Sequence, residues 1–179
     1  MKLEELVRVS GAVAATPGRL NKISKLAALF ALLPPHDAPT AIGFLTGWPR
    51  QGKLGIGWAT VAAARDQEPA TSSTLELGDV DAALDRLFSV RGKNSASERA
   101  RLLGDLFSRA TAEEQQFLAA LMIGEVRQGA LEGVMLEAIA KAAGVPADSM
   151  RRAVMMAGDL GAVAHAVLGD PDAGLAQYQ

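Results

Sequence analysis

Two stretches of this chain gather cations, side-chain amides and glycines in the way that suits contact with phosphates. The segment Gly47-Trp48-Pro49-Arg50-Gln51-Gly52-Lys53-Leu54 is echoed by Gly124-Glu125-Val126-Arg127-Gln128-Gly129-Ala130-Leu131, with Gly, Arg, Gln, Gly and Leu returning at the same places. Glycine lets a backbone approach a ligand closely, and arginine and glutamine beside it supply donors. That combination fits phosphate and sugar contacts along a nucleic-acid strand. Arg50, Gln51, Gly52 and Lys53 are therefore expected to face one strand, and Arg127, Gln128 and Gly129 the other. A plainer account makes each segment a helix C-cap, with Arg127 pairing with Glu125 or Glu132. It explains the glycines better than the shared Arg-Gln. Pro49 alters the first turn, so Arg127 is expected to contribute more than Arg50.

A second cluster is Arg91-Gly92-Lys93-Asn94-Ser95-Ala96-Ser97, read as a loop ahead of a helix from Ser97. Free N–H groups, hydroxyls and the cations Arg91 and Lys93 would converge there on an anion, and Ser95 or Ser97 would cap the helix. Its counterpart in the first half runs from Thr16 to Lys22 and offers Arg19 and Lys22.

Other chemistries are missing from the residues. There are no cysteines and two histidines, His36 and His165, which removes disulfides, thiolate sites and histidine-rich metal sites. Lys53, Lys93 and Lys141 are not followed by the x-Asp-Gly of an adenylation motif. No phosphate-loop or His-Glu-x-x-His pattern occurs. The expectation is no catalytic residue, no metal and no cofactor in this chain.

The scaffold for these clusters reads as helices throughout. The chain has 179 residues, 49% of them hydrophobic, which is enough for one domain with its own core. Aromatics are 4%, so the core is one of small aliphatics. The net charge of −2 provides no global pull on a polyanion, so any such site must be local. No apolar run approaches the roughly 20 residues of a membrane span, and the cytoplasm is the expected compartment. Helical spacing runs through Ile23, Leu26, Ala27, Phe30 and Leu33, ended by Pro34-Pro35. Asp37 is expected to cap the next helix and Asp79 a later one. Thr111 and Glu114 have capping-box spacing. Residues 65 to 78 read as a linker, and the C-terminal helices as 146 to 168.

A shift of 77 residues superposes more than the two turns. Leu26, Leu29 and Phe30 fall on Leu103, Leu106 and Phe107, and Lys22 on Arg99. The expectation is an all-α domain over 1–179 with two pseudo-symmetric repeats, about 1–64 and 79–143. Two turns so related suit the two antiparallel strands of a duplex.

Phe117 through Gly129, with Val134 through Ala140 and Asp159-Leu160-Gly161, resembles the N-terminal DNA-binding domain of bacterial ATP-dependent DNA ligases, the actinobacterial ligase B kind. The resemblance covers about Leu6 to Leu168. It implies an all-helical domain that grips nicked duplex DNA from the minor-groove side, with adenylation and OB-fold domains as partners in the parent protein. ATP and Mg2+ are implied for that parent and not for this chain. The family turn often has an apolar residue where Gln128 stands. Two other functions compete. Residues 138–154 have helix-turn-helix spacing, which would make a transcriptional regulator, although Asp148 would then face phosphates. The acidic net charge suits a protein-interaction scaffold.

Overall fold

Helix-forming sequence dominates, and the computed structural model is helical wherever the periodicity says so. It describes residues 1–126 and 132–178. Eleven α-helices follow in order: α1 Leu3–Ala14, α2 Arg19–Leu32, α3 Ala38–Thr46, α4 Trp58–Arg65, α5 Leu77–Ser89, α6 Ser95–Ser108, α7 Ala112–Ile123, α8 Glu132–Ala143, α9 Ala147–Ala157, α10 Leu160–Gly169 and α11 Pro171–Ala176. A 3-10 turn, Pro35–Asp37, precedes α3. The only extended pairing among the described residues is one bridge between Lys2 and Glu76. No helix among them is long and apolar enough to cross a membrane.

One core runs through the domain. Phe30, Phe44 and Phe107 are its largest fully buried side chains. The residues aligned at the 77-residue shift share their burial: Leu26 with Leu103, Leu29 with Leu106 and Phe30 with Phe107 are all inside. α2 packs chiefly on α8, and α6 on α4. Each of these helices therefore finds its main neighbour across the chain and not beside it. Truncating Phe107 to alanine would cost about 3–5 kcal/mol by the cavity it leaves.

The helix ends show which local rules won. Thr111 and Glu114 form the expected capping box: the Thr111 N–H donates to Glu114 Oε2 at 2.9 Å, and the Glu114 N–H to Thr111 Oγ1 at 3.4 Å. Asp159 caps α10 through the Ala162 N–H at 3.1 Å. Asp37 stands at the N-cap of α3 but makes no cap bond. Its Oδ2 takes the Met1 ammonium at 2.6 Å, and a full charge outcompetes a backbone amide for it. α5 starts two residues before Asp79. Glu76 is its N-cap, and the Glu76 N–H donates to Asp79 Oδ2 at 2.9 Å. α6 likewise begins at Ser95, ahead of the expected Ser97, with Asn94 as N-cap in a left-handed conformation and no side-chain cap. α11, beyond the expected last helix, is opened by Asp170 capping the Ala173 N–H at 3.0 Å with Pro171 behind it.

Residues 65–78 are more than a tether. Leu75 and Leu77 are fully buried, the Leu3 N–H donates to Leu75 O at 2.9 Å, and the Leu77 N–H to Met1 O at 3.0 Å. Ser73 donates to the buried Glu114 at 2.6 Å, and the Ala70 N–H to Ala110 O at 2.9 Å. Polar, breaker-rich sequence here is ordered by partners distant along the chain, which periodicity does not register.

Candidate nucleic-acid interface

Both glycine turns begin as the same helix ending. α3 ends at Gly47 (φ 75°) and α7 at Gly124 (φ 77°), both in the left-handed region that an L side chain avoids. The Trp48 N–H reaches back to Gly43 O and the Glu125 N–H to Ala120 O, each at 2.8 Å. These bonds satisfy carbonyls that a helix leaves orphaned, so capping accounts for the first glycine of each turn. The turns are also neighbours: a Cβ placed on Gly47 would come within 3.2 Å of Val126.

After the cap, the first turn docks on α5. Arg50 donates through Nε and Nη2 to both carboxylate oxygens of Asp81, at 2.7–3.0 Å, and also to Asp85. Gln51 Nε2 donates to Asp81 Oδ1 and to Asp85 Oδ1, both at 2.9 Å. Asp81 and Asp85 are four apart on α5 and present one face to the turn. The hydrogen bonds to Asp81 and Asp85 raise the Arg50 pKa further above its already high ordinary value. Asp85 is held below the usual carboxylate range, chiefly by Gln51 and then by Arg50. Two carboxylates around one guanidinium leave the cluster net negative. The Gly52 N–H is also engaged, at 2.7 Å to Pro49 O. Lys53, next along, is exposed and makes no side-chain bond among the described residues.

The loop after α5 divides its residues in the same way. Arg91 donates to the Phe88 and Val90 carbonyls at the end of α5, and Arg99 Nη2 to Val90 O at 3.0 Å. Cations there satisfy orphan carbonyls and meet the negative end of the helix dipole. The Ser95 N–H turns inward to Lys93 O at 2.7 Å. Lys93 is exposed and has no side-chain partner among the described residues. The segment Leu54–Gly57 lies against this loop, since Leu54, Gly55 and Ile56 line one groove with Arg91, Ala96 and Arg99. The turn and the loop are thus brought together beside the C-terminal part of α5.

The first-half loop is placed differently. Arg19 opens α2 and donates to Glu137 Oε1 at 2.8 Å and to Gly133 O at 3.3 Å, tying α2 to α8. Lys22 is half-buried and unpaired among the described residues. Arg127, Gln128 and Gly129 lie outside the described residues. The α8–α9 corner turns at Gly144 (φ 70°), and Met150, Ala153 and Val154 of α9 are buried. Asp148 and Arg151 at the start of α9 pair at 2.5 Å.

The sequence pattern passed over two residues at this face. Trp48 and Trp58 are 66% and 59% exposed and line one groove with Lys53. Their signal was one of type: a chain so poor in aromatics has just two tryptophans, both flanking the glycine turn. On another side, the groove between α1 and α7 is lined by Glu4, Glu113, the buried Glu114 and Glu125 beside Arg8. Those carboxylates repel a polyanion, which leaves the loop after α5, with Arg91, Lys93 and Arg99, as the better electrostatic match.

Comparison with known proteins adds an independent line. Residues 59–140 match the family described as DNA ligase N terminus. The whole chain aligns at 50% identity with a probable DNA ligase of Anaeromyxobacter sp. (strain Fw109-5), of which it covers 35%. It aligns over 92% of its length at 49% identity with a probable DNA ligase of Pseudarthrobacter chlorophenolicus, covering 32% of it. It aligns over 99% of its length at 43% with one of Mycolicibacterium gilvum, covering 34% of it. The chain spans about a third of the length of these curated relatives.

Proposed function

We propose that this chain, whose residues 59–140 match the DNA ligase N-terminus family, is the duplex-gripping domain of an ATP-dependent DNA ligase. The observation that carries the reading is identity near 50% over the full chain to probable DNA ligases about three times as long. The parent would supply adenylation and OB-fold domains, with ATP and Mg2+ acting there. This part would hold nicked duplex so that the strand ends meet the reactive centre, and its contribution to catalysis would be positioning.

The grip uses backbone contacts in preference to base edges. The start of α9, where a helix-turn-helix would read bases, offers Ala147 and an Asp148 already paired with Arg151. Lys53 and Lys93 are exposed, unpaired among the described residues, and lie on elements that meet beside α5. Lys22, also without a side-chain partner among the described residues, stands at the start of α2. Arg19, Arg50 and Arg91 brace the fold and shape that surface. Arg127, Gln128 and Gly129 are assigned to the opposite strand on the sequence repeat alone. That repeat reading is supported by the paired burial, the shared turn endings and the reciprocal pairing of α2 with α8 and α6 with α4.

Titration of labelled nicked duplex by anisotropy tests the reading. Two unrelated sequences of equal length should bind alike, and log K should fall with log salt with a slope of about −2.7 if three lysines neutralise phosphates. A preference of several kcal/mol for one sequence would favour a regulator, and no binding at low salt would favour a protein scaffold. Incubation with labelled ATP and Mg2+ should leave this chain unlabelled on a denaturing gel, because no adenylation lysine motif is present.

A further inference from the structure

The tryptophans stand apart from the other aromatic residues of this chain. Phe30, Phe44, Phe107 and Phe117 are buried and Phe88 and Tyr178 half-buried, whereas Trp48 and Trp58, the largest side chains in the protein, are more than half exposed. Trp48 follows the cap of α3, and Trp58 opens α4. The segment between them is rich in glycine, and both side chains line a groove of about 760 Å³. Its walls include the apolar Leu54, Ile56 and Met122; Lys53 supplies its cation and Glu125 its carboxylate.

We propose that Trp48 and Trp58 form an aromatic jaw for a DNA strand, in which their rings lie against the apolar face of a nucleotide while Lys53 takes its phosphate. This rests on the duplex-gripping reading and adds a contact that charge alone does not supply. A nucleotide is the ligand class that combines a flat apolar face with an adjacent anion, which is the pair of features this groove offers. Aromatic stacking on bases tolerates any sequence, because every base has a π-face, and apolar side chains also wedge against the sugars and base steps of a minor groove. The jaw therefore adds affinity without adding base preference. The nucleotide face has two sources: an unstacked base at a strand break, or deoxyribose and base edges along an intact duplex.

The two tryptophans are the whole indole complement of the chain, so tryptophan fluorescence reports on this groove alone. Intact, nicked and one-nucleotide-gapped duplexes are titrated into the full chain, with tryptophan emission and the anisotropy of a distant DNA label followed together. Trp48→Phe and Trp58→Phe assign the signal to each ring. The expected result is quenching of both tryptophans that saturates with the anisotropy. Trp48→Ala combined with Trp58→Ala should weaken binding about tenfold with the melting temperature unchanged. Stronger quenching on nicked and gapped DNA identifies an unstacked base as the source, and equal quenching on all three identifies sugar and groove edges. Anisotropy that rises with unchanged emission and full affinity in the double alanine variant overturns the jaw and leaves the duplex-gripping reading standing. No anisotropy change with any duplex overturns both.

Discussion

The turn after α3 and the loop after α5 carry the same chemistry, and they use it in the same divided way. In the turn, Arg50 and Gln51 close on Asp81 and Asp85, and Lys53 is left facing solvent. In the loop, Arg91 closes on carbonyls at the end of α5, and Lys93 is left facing solvent. They differ in what the arginine holds. The turn grips side-chain carboxylates in the body of α5, and the loop grips the helix's backbone end. A planar guanidinium with five donors can satisfy two acceptors at once, so it serves as an internal brace. An ammonium on a flexible stem is more strongly hydrated and stays in water until a phosphate displaces that water. Both regions brace one helix, α5, and present one lysine each.

The comparison can be broken most severely by removing the carboxylates. Asp81→Ala combined with Asp85→Ala should lower stability by about 2 kcal/mol, a value held down because Arg50 and Asp85 are each about half exposed. The same variant frees Arg50 and removes two negative charges, so duplex affinity should rise and the salt slope steepen by about 0.9. Thermal melts and titrations at three salt concentrations check both. A smaller effect is expected at the helix end. Arg91→Ala should cost about 1 kcal/mol, a melting shift of roughly 2–4 °C for a chain of this size. Equal losses at the two sites would erase the distinction between a carboxylate clamp and a carbonyl cap.

The smallest effect is a pH dependence. Asp85 has a depressed pKa, so its contribution is present above the ordinary carboxylate value near 4 and is lost as pH falls through the lower folded value. Stability from this clamp should be flat between pH 7 and 5 and decline below about pH 4, by under about 1 kcal/mol. Comparing acid titrations of the wild-type chain and Asp85→Asn isolates it. A loss already complete at pH 5 would contradict the depressed pKa.

Much of this fold was legible because its signals are local. The apolar spacing of α2 and α7, the prolines after α2 and the capping box at Thr111 each depend on residues within one or two turns. The corrections share the opposite cause. Asp37 was claimed by an ammonium 36 residues away, and the 65–78 connection is ordered by Met1, Leu3, Ala110 and Glu114. The site was legible to the same limit. Sequence singled out these loops by their glycine and cation content, which is local. It did not separate lysines from arginines, because the acceptors that engage Arg19, Arg50 and Arg91 are set by the packing of α5 and α8. It also passed over Trp48 and Trp58, whose exposure depends on where α4 comes to rest.

The most direct test pairs two double variants on nicked duplex at low salt. Lys53→Ala with Lys93→Ala should lose about 2 kcal/mol of binding, roughly thirtyfold, at an unchanged melting temperature. Arg50→Ala with Arg91→Ala should melt earlier and bind within about threefold of the wild-type chain while folded. An arginine pair that loses as much affinity as the lysine pair, or more, would contradict the division of labour argued for these two loops.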